Sequence, residues 1–492
     1  MSSLSSILSI AANAAQVNQA AMQVVSQNVS NASTPGYSRE QALFTEAPSL
    51  MTPQGTFGTG VAISDVTRVH DTLLDSIYRQ QSANSSGAAL SQQLLSQIQG
   101  IFNEPSDTGL SATMDAFWSS WSDLSNNPGN AASQTAVRAQ GGQVAMLLNS
   151  YSRQLDGLQA NATAQLTQSV QSFNALAKRV ADLNQQITAS EAGGHQAPAL
   201  LDQRDQLIDQ MTQIVPVRAL PTANDGANIV IGGISVVSGS TCRALSVSGT
   251  PTAPVLTVAG NSTALTHVGG SLGSLVDFLQ TELSSDSRTS VRSSLDALAQ
   301  GVVNAVNAIH DTGYTASGDA LGNANWDPNA GPTGSNVDFF DPSGTTASTI
   351  RLSSAVQADA SVIASGTTST GDNSVALAIA SLRDASGANA LSATMGAAAY
   401  TTKVGLPPNT SFGDSYNSLV TAVGTKVQSA TNDATTFQTL AQNADTQRTS
   451  VSGVSVDEEL TRVMQYQQGY AAAAKIVSAA DQMAQDILNM VQ

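Results

Sequence analysis

The sequence predicts a mainly α protein with β insertions, in which terminal helices form a coiled coil, a long helical-bundle domain follows inside them, and small β domains are inserted centrally. Three observations carry that prediction. Apolar residues recur every three or four positions at both ends, the same period runs for roughly fifty residues in the first half, and after Pro216 it changes to two.

At the N-terminus Leu4, Ile7, Leu8, Ala11, Ala14, Ala15, Asn18, Met22, Val25 and Val29 mark one face of a helix over about Ser3 to Val29, roughly 40 Å long. Met1 to Ser38 contain no Asp, Glu, Lys, Arg or His. The helix stops at Asn31-Ala32-Ser33-Thr34-Pro35-Gly36-Tyr37, where Pro35 pushes Thr34 out of helical geometry and Gly36 permits a turn. Residues 41–66, punctuated by Pro and Gly, read as a loop with some strand. Helical spacing resumes at Val69, Leu73, Ile77, Leu94, Ile98 and Ile101, breaks at Glu104-Pro105, and returns as a short helix with Met114, Phe117, Trp118, Trp121 and Leu124 buried.

From Val137 to Ile187 the period holds long enough to suggest a coiled-coil-like helix, ended by Gly193-Gly194 and followed by a helix over Leu200 to Val215. Asn228-Ile229-Val230-Ile231, Gly232-Gly233 and Ile234-Ser235-Val236-Val237 then spell a two-residue hairpin, extended by runs at 244–247 and 255–258. Cys242, the one cysteine, reads as a small, semi-buried strand residue and excludes an intrachain disulfide. One helix is expected from Leu272 to Ile309. A Gly-, Ser-, Thr-, Asn- and Asp-rich stretch over 314–370 holds Trp326, Phe339 and Phe340 as isolated anchors, with a strand at Thr349-Ile350-Arg351-Leu352. Helices return at Val375 to Leu382 and from Tyr416, capped by Asp414 or Ser415.

The last helix opens on Ser455-Val456-Asp457-Glu458, a capping box in which Ser455 is the N-cap and Glu458 reaches back, with Asp457, Glu458 and Glu459 at the positive end of the helix dipole. Leu460, Val463, Tyr466, Tyr470, Ala473, Ile476, Val477, Ala480, Met483 and Ile487 carry its stripe for about 50 Å. The expected organisation is nested. Residues 1–38 and 455–492 form a terminal coiled coil, and 39–215, 269–313 and 371–454 a helical bundle. A small β insertion occupies 216–268 and a second β or irregular insertion 314–370. The length of 492 residues suits such a multi-domain chain.

Composition narrows the function. Charged residues are 11% of the chain against a usual share near 25%, which lowers the desolvation cost when many copies pack together. A net charge of −17 repels phosphates, so nucleic acid is not an expected partner. No run reaches the ~20 apolar residues of a membrane span, and no secretory signal pattern opens the chain. His70, His195, His267 and His310 lie far apart, without metal-ligand spacing. Gly413-Asp414-Ser415 lacks a nucleophile-elbow context. Asp338-Phe339-Phe340-Asp341 with Asp319 matches no calcium loop and reads as a solvated turn. No catalytic residues, metal or cofactor are expected.

Asn28-Val29-Ser30-Asn31-Ala32-Ser33-Thr34-Pro35-Gly36-Tyr37-Ser38-Arg39 resembles the N-terminal signature of bacterial flagellar rod, hook and hook-associated proteins, with Asn28, Asn31, Thr34, Pro35, Gly36 and Tyr37 as its motif. Residues 452–460 and Tyr466-Gln467-Gln468-Gly469-Tyr470-Ala471-Ala472-Ala473-Ala474-Lys475 resemble the hook-associated protein 1 family. Leu200-Leu201-Asp202-Gln203-Arg204-Asp205-Gln206-Leu207, residues 269–278 and residues 371–378 are similar to the same family.

The resemblance implies a structural, secreted component of the extracellular flagellum that joins hook to filament after type III export. Its implied partners are copies of itself, hook protein, the second junction protein on the filament side and a cytoplasmic chaperone holding the C-terminal helix. Leu4, Ile7, Leu8, Ala11, Met22, Val25 and Val29 are the expected N-terminal assembly residues, and the C-terminal stripe serves assembly and chaperone binding. Other readings are a hook or distal-rod subunit, an extracellular adhesin or enzyme using the 314–370 insertion, and a plain antiparallel hairpin of the two terminal helices.

Overall fold

A computed structural model describes residues 2–52, 55–222, 225–266, 268–287, 289–313, 337–367, 371–407 and 409–491. Helix α1 spans Ser2–Ser30. An antiparallel ladder follows, in which β1 (Glu40–Glu46) pairs with β4 (Val61–Arg68) through a bulge at Leu43/Phe44. Its far end carries the small hairpin of β2 (Leu50–Thr52) and β3 (Gly55–Phe57). The helical body then builds from α2 (Thr72–Phe102), α3 (Leu110–Asn126), α4 (Ala131–Ser190) and α5 (Pro198–Ile214). Side chains start two of these helices: Asp71 accepts from the N–H groups of Leu73 and Leu74, and Asn130 from those of Ala132 and Ser133.

The switch to period two produces a four-stranded antiparallel sheet of β5 (Arg218–Pro221), β6 (Ala227–Ile231), β7 (Ile234–Ser238) and β8 (Thr241–Cys242), in that order. A hairpin of β9 (Leu245–Thr250) and β10 (Ala253–Val258) lies beside it. Gly232 and Gly233 turn the β6–β7 hairpin with φ of +53° and +87°, which suits glycine at both positions. Cys242 does sit in a strand but is exposed, because β8 is a two-residue edge.

The helix expected from Leu272 to Ile309 is two helices, α6 (Gly270–Thr281) and α7 (Val291–His310). Between them lie Ser284, Ser285, Asp286, Ser287 and Thr289, whose short polar side chains compete for backbone hydrogen bonds. Ser290 restarts the helix by accepting from the Ser293 N–H at 3.0 Å. The strand expected at 349–352 reduces to a single bridge between Phe340 and Leu352. Nor is Asp338-Phe339-Phe340-Asp341 a solvated turn. Phe339 and Phe340 are fully buried against Phe117 and Trp121, while Asp341 binds Arg351 from outside. Trp326 and Asp319 lie outside the described residues.

Short helices α8 (Ser354–Ala358), α9 (Ser374–Ser381), α10 (Ala385–Met395) and α11 (Ala397–Lys403) fill the gap before α12 (Phe412–Ser452) and α13 (Val456–Val491). The N-cap of α12 is Ser411, earlier than Asp414 or Ser415. Ser411 Oγ takes the Asp414 N–H at 3.0 Å, and Phe412 stacks on Trp118, so the helix starts where both are satisfied. Neither α10 nor α11 shows in the apolar spacing, since both are built largely of Ala, Ser, Gly and Thr. The fold is mainly α with β insertions, helix forming 65% of it.

The core is continuous along α4, whose Val144, Leu148, Leu166, Phe173 and Val180 are buried from end to end. Glycine at 141 lets the Phe339 ring lie on the helix, where a Cβ would come within 2.7 Å of it. His310 is buried in this core with its proton need met. Its Nδ1 faces the Val337 carbonyl at 2.9 Å, Nε2 accepts from the Ala364 N–H at 3.0 Å, and burial holds its pKa down to about 4. His70 pairs with Asp75, His195 is exposed, and His267 lies outside the described residues. We predict that Phe339→Ala lowers stability by ~3–5 kcal/mol in denaturant unfolding, the usual cost of emptying an aromatic site; a loss under 1 kcal/mol would contradict this packing.

Candidate functional site at the joint of the terminal helices

Helices α1 and α13 lie side by side. Their seam is made largely of small residues: Ala11, Ala21 and Val25 on α1 and Ala473 and Ala480 on α13 are buried. At Gly469 the approach is tight, since a Cβ there would fall 2.5 Å from Asn18 Oδ1. Met22, Val29, Val463, Tyr466 and Val477 are half-buried along the same seam. The larger residues of the two stripes point elsewhere. Ile7, Leu8, Leu460, Tyr470, Ile476 and Met483 are between 38% and 49% exposed. The side chains of Leu4 and Ile487 lie outside the described residues.

One end of the pair is locked by Asn28, which is fully buried. Its Nδ2 donates to the Glu40 carbonyl at 2.8 Å and to Glu459 Oε2 at 2.9 Å. Its Oδ1 accepts from the Tyr37 hydroxyl at 2.8 Å and the Glu40 N–H at 2.9 Å. A side-chain amide has two donor hydrogens and two acceptor lone pairs, and all four are used. Through them one residue ties together α1, the turn after it, β1 and α13. Burial, and then the carboxylates of Glu40, Asp202 and Glu459, raise the Tyr37 phenol well above its ordinary pKa, so it stays a donor.

The capping box of α13 is half realised. Ser455 Oγ lies 3.5 Å from the Glu458 N–H, but the Glu458 carboxylate reaches across to Arg39 at 3.2 Å instead of back to the cap. Glu459, one residue on, turns inward, fully buried between Asn28 and Arg462. The rest of the motif shapes the turn. The Thr34 N–H donates to the Asn31 carbonyl at 2.9 Å, the Tyr37 N–H donates to the Thr34 carbonyl at 3.2 Å, and Gly36 adopts φ +74°. A Cβ on Gly36 would also meet Gln206 at 2.5 Å.

That contact introduces the second half of the joint. Asp202, Asp205 and Asp209 are spaced three and four apart and so share one face of α5. Asp202 takes the Ser38 N–H at 2.9 Å, and Gln206 donates to the Pro35 carbonyl at 2.7 Å. Arg68, at the end of β4, binds both Asp202 and Asp205 at 2.8 Å. Arg79 of α2 binds Asp209 at 2.6 Å and Asp205 at 3.4 Å. From α12, Arg448 binds Asp209 at 2.7 Å and lies 3.8 Å over the Tyr78 ring. Burial alone would raise the Asp205 carboxyl, but Arg68, Arg79 and Arg204 hold it below the ordinary range. Arg79 is raised despite its burial by Asp209 and Asp205.

Sequence reasoning placed Asn28 and Tyr37 in a motif without seeing what they bind. It missed Glu459, Arg68, Arg79, Asp209 and Arg448 as members of this joint. The acidic spacing on α5 was the signal available. Among the described residues no group of three or more His, Cys, Asp or Glu side chains comes together to hold a metal, and no helix is long and apolar enough to cross a membrane.

Comparisons with known proteins agree with this architecture. A family model described as the flagellar hook-associated protein FlgK helical domain matches residues 95–324, and one for the C-terminal region of the flagellar basal body rod FlgEFG proteins matches 446–490. Flagellar hook-associated protein 1 of Bacillus subtilis is 29% identical, over 98% of this chain and 97% of its own. Its Salmonella typhimurium counterpart is 26% identical over 99% and 100%. The structure of the flagellar hook junction protein FlgK from Burkholderia pseudomallei shares the fold, with a TM-score of 0.58 at 15% identity, covering 78% of this chain and 100% of that one.

The fold, with its paired terminal helices locked to a helical body, is that of a structural subunit of the bacterial flagellum, not of an enzyme. The family models and the full-length relatives together support a flagellar hook-associated protein 1, a structural component of the junction between hook and filament in the extracellular flagellum.

Asp205 carries a sign for pH. Its folded pKa is depressed, so its stabilisation is present above the ordinary carboxylate value of ~3.9 and is lost as pH falls through the depressed one. We predict that Asp205→Asn destabilises the joint at neutral pH by roughly 3 kcal/mol, as breaking a buried pair does. Hydrogen exchange at 36–40 should speed up in the variant and respond less to acid than in the parent. Unchanged exchange would contradict the role given to Asp205.

Proposed function

We propose that this chain is exported through the flagellar type III apparatus and polymerises through α1 and α13, joining hook protein below to the second junction protein above. Copies of the chain form the lateral neighbours, and a cytoplasmic chaperone covers the outward stripe of α13 before export. On this reading residues 1–38 and 455–492 act as one assembly unit, and the β insertion at 216–268 lies away from the tube axis.

The observation that carries the reading is the division of labour on the terminal pair. Small residues are spent on the mutual seam, while Ile7, Leu8, Leu460, Met464, Tyr470, Ile476 and Met483 stay exposed. Large apolar side chains left open along both helices mark a surface for other subunits. The charge-free N-terminal segment supports the same reading, since no ionised group in it must be desolvated when neighbours close around it.

Ile476→Asp together with Met483→Asp separates assembly from folding. Both positions are 45% to 48% exposed, so thermal unfolding should change little, as is usual for surface substitutions. In a strain lacking the parent gene the variant should fail to support filaments on hooks and should escape capture by the chaperone. Full swimming with this variant would overturn the proposal.

A further inference from the structure

The β1–β4 ladder carries a projection at one end and a recess at the other. At the far end the β2–β3 hairpin exposes Met51 by 85% and Phe57 by 54%. Residues 47–60 around them hold no charged side chain. At the near end β4 finishes on Arg68, which lines a cleft of about 880 Å³ between the start of α2, α5 and the β5–β6 pair. Leu73, 66% exposed, and Ile77, 38% exposed, line it together with Ala219 and Pro221 and with the charged side chains of Arg79, Arg204 and Asp205. A cleft of that size is ample for two large side chains.

Within one subunit the projection and the recess do not meet. The eight residues of β4 alone separate them by ~23 Å, and no described residue of the β2–β3 hairpin lines the cleft. Charge matches shape. Glu46 is exposed at the foot of the projection and Arg218 is exposed at the mouth of the recess, and neither forms an ion pair among the described residues. The ladder is also continuous with the terminal pair, for the Phe44 ring meets Tyr466 of α13 edge-on with centroids 6.1 Å apart.

A plug and socket on one chain that cannot join in the same subunit define a heterologous contact, which repeats from copy to copy around a ring or helix. We propose that the β2–β3 hairpin of one subunit seats in the cleft of the next copy, with Met51 and Phe57 against Leu73 and Ile77, and Glu46 against Arg218. The inference rests on the polymerisation proposed above and names one contact within it.

The test uses the whole chain with its single native cysteine removed as Cys242→Ser. Met51→Cys and Leu73→Cys are combined, and hooks with their junctions are isolated from cells and mildly oxidised. A ladder of covalent multimers of this chain, absent from either single variant and collapsed by reductant, is the expected result. Junctions visible by microscopy that give no ladder, or that link to a different flagellar protein, would overturn the contact while leaving the assembly role standing. Absence of the chain from junctions would overturn the assembly role itself. If the cysteine pair blocks assembly, a charge swap decides. Glu46→Arg and Arg218→Glu should each lower the fraction of hooks bearing filaments by up to about fivefold, and the double variant should restore it; no restoration counts against the contact.

Discussion

The buried amide of Asn28 is the constraint on which the pose of the terminal helices depends. Two long helices joined by a seam of alanines can slide or rotate against each other, since small side chains fix register weakly. Asn28 removes that freedom at one end. Its four hydrogen bonds reach Tyr37, both backbone groups of Glu40, and Glu459, so α1, the turn, β1 and α13 share a single arrangement. Leaving any of these buried partners unpaired costs ~1–3 kcal/mol, which makes alternatives to that arrangement expensive.

The acidic face of α5 extends the constraint into the body. Arg68, Arg79 and Arg448 come from β4, α2 and α12 and converge on Asp202, Asp205 and Asp209. In a chain with only 11% charged residues this concentration is informative. Charge is kept off the first 38 residues and gathered where the terminal pair meets the helical body. The outer surfaces of α1 and α13 keep large apolar side chains exposed, while the joint beneath them is polar and largely buried. A subunit built this way holds the exposed apolar side chains of its terminal helices at a fixed angle to its own core.

Much of the fold was legible because helical and strand periods differ so clearly. The stripe on α4, the Gly232-Gly233 hairpin and both terminal helices follow directly from spacing. The break between α6 and α7 escaped because the apolar period continues across it, while the competition of Ser284 to Ser287 for backbone groups is local chemistry that periodicity ignores. Phe339 and Phe340 looked isolated for the opposite reason. Their partners Phe117 and Trp121 lie more than two hundred residues earlier in the chain, and only the fold brings them together. The joint was half legible: the motif around Asn28 marked the place, but which of Glu458 and Glu459 turns inward depends on how α13 faces Asn28, which spacing alone does not give.

The most direct test of the central claim is a double-mutant cycle between Asn28→Ala and Glu459→Ala, read as the opening free energy of α13 amides by hydrogen exchange. If one buried hydrogen bond couples the helices as described, the two substitutions together should cost less than their sum, with a coupling of at least ~1 kcal/mol. Strict additivity, with exchange in α13 indifferent to Asn28, would contradict the account.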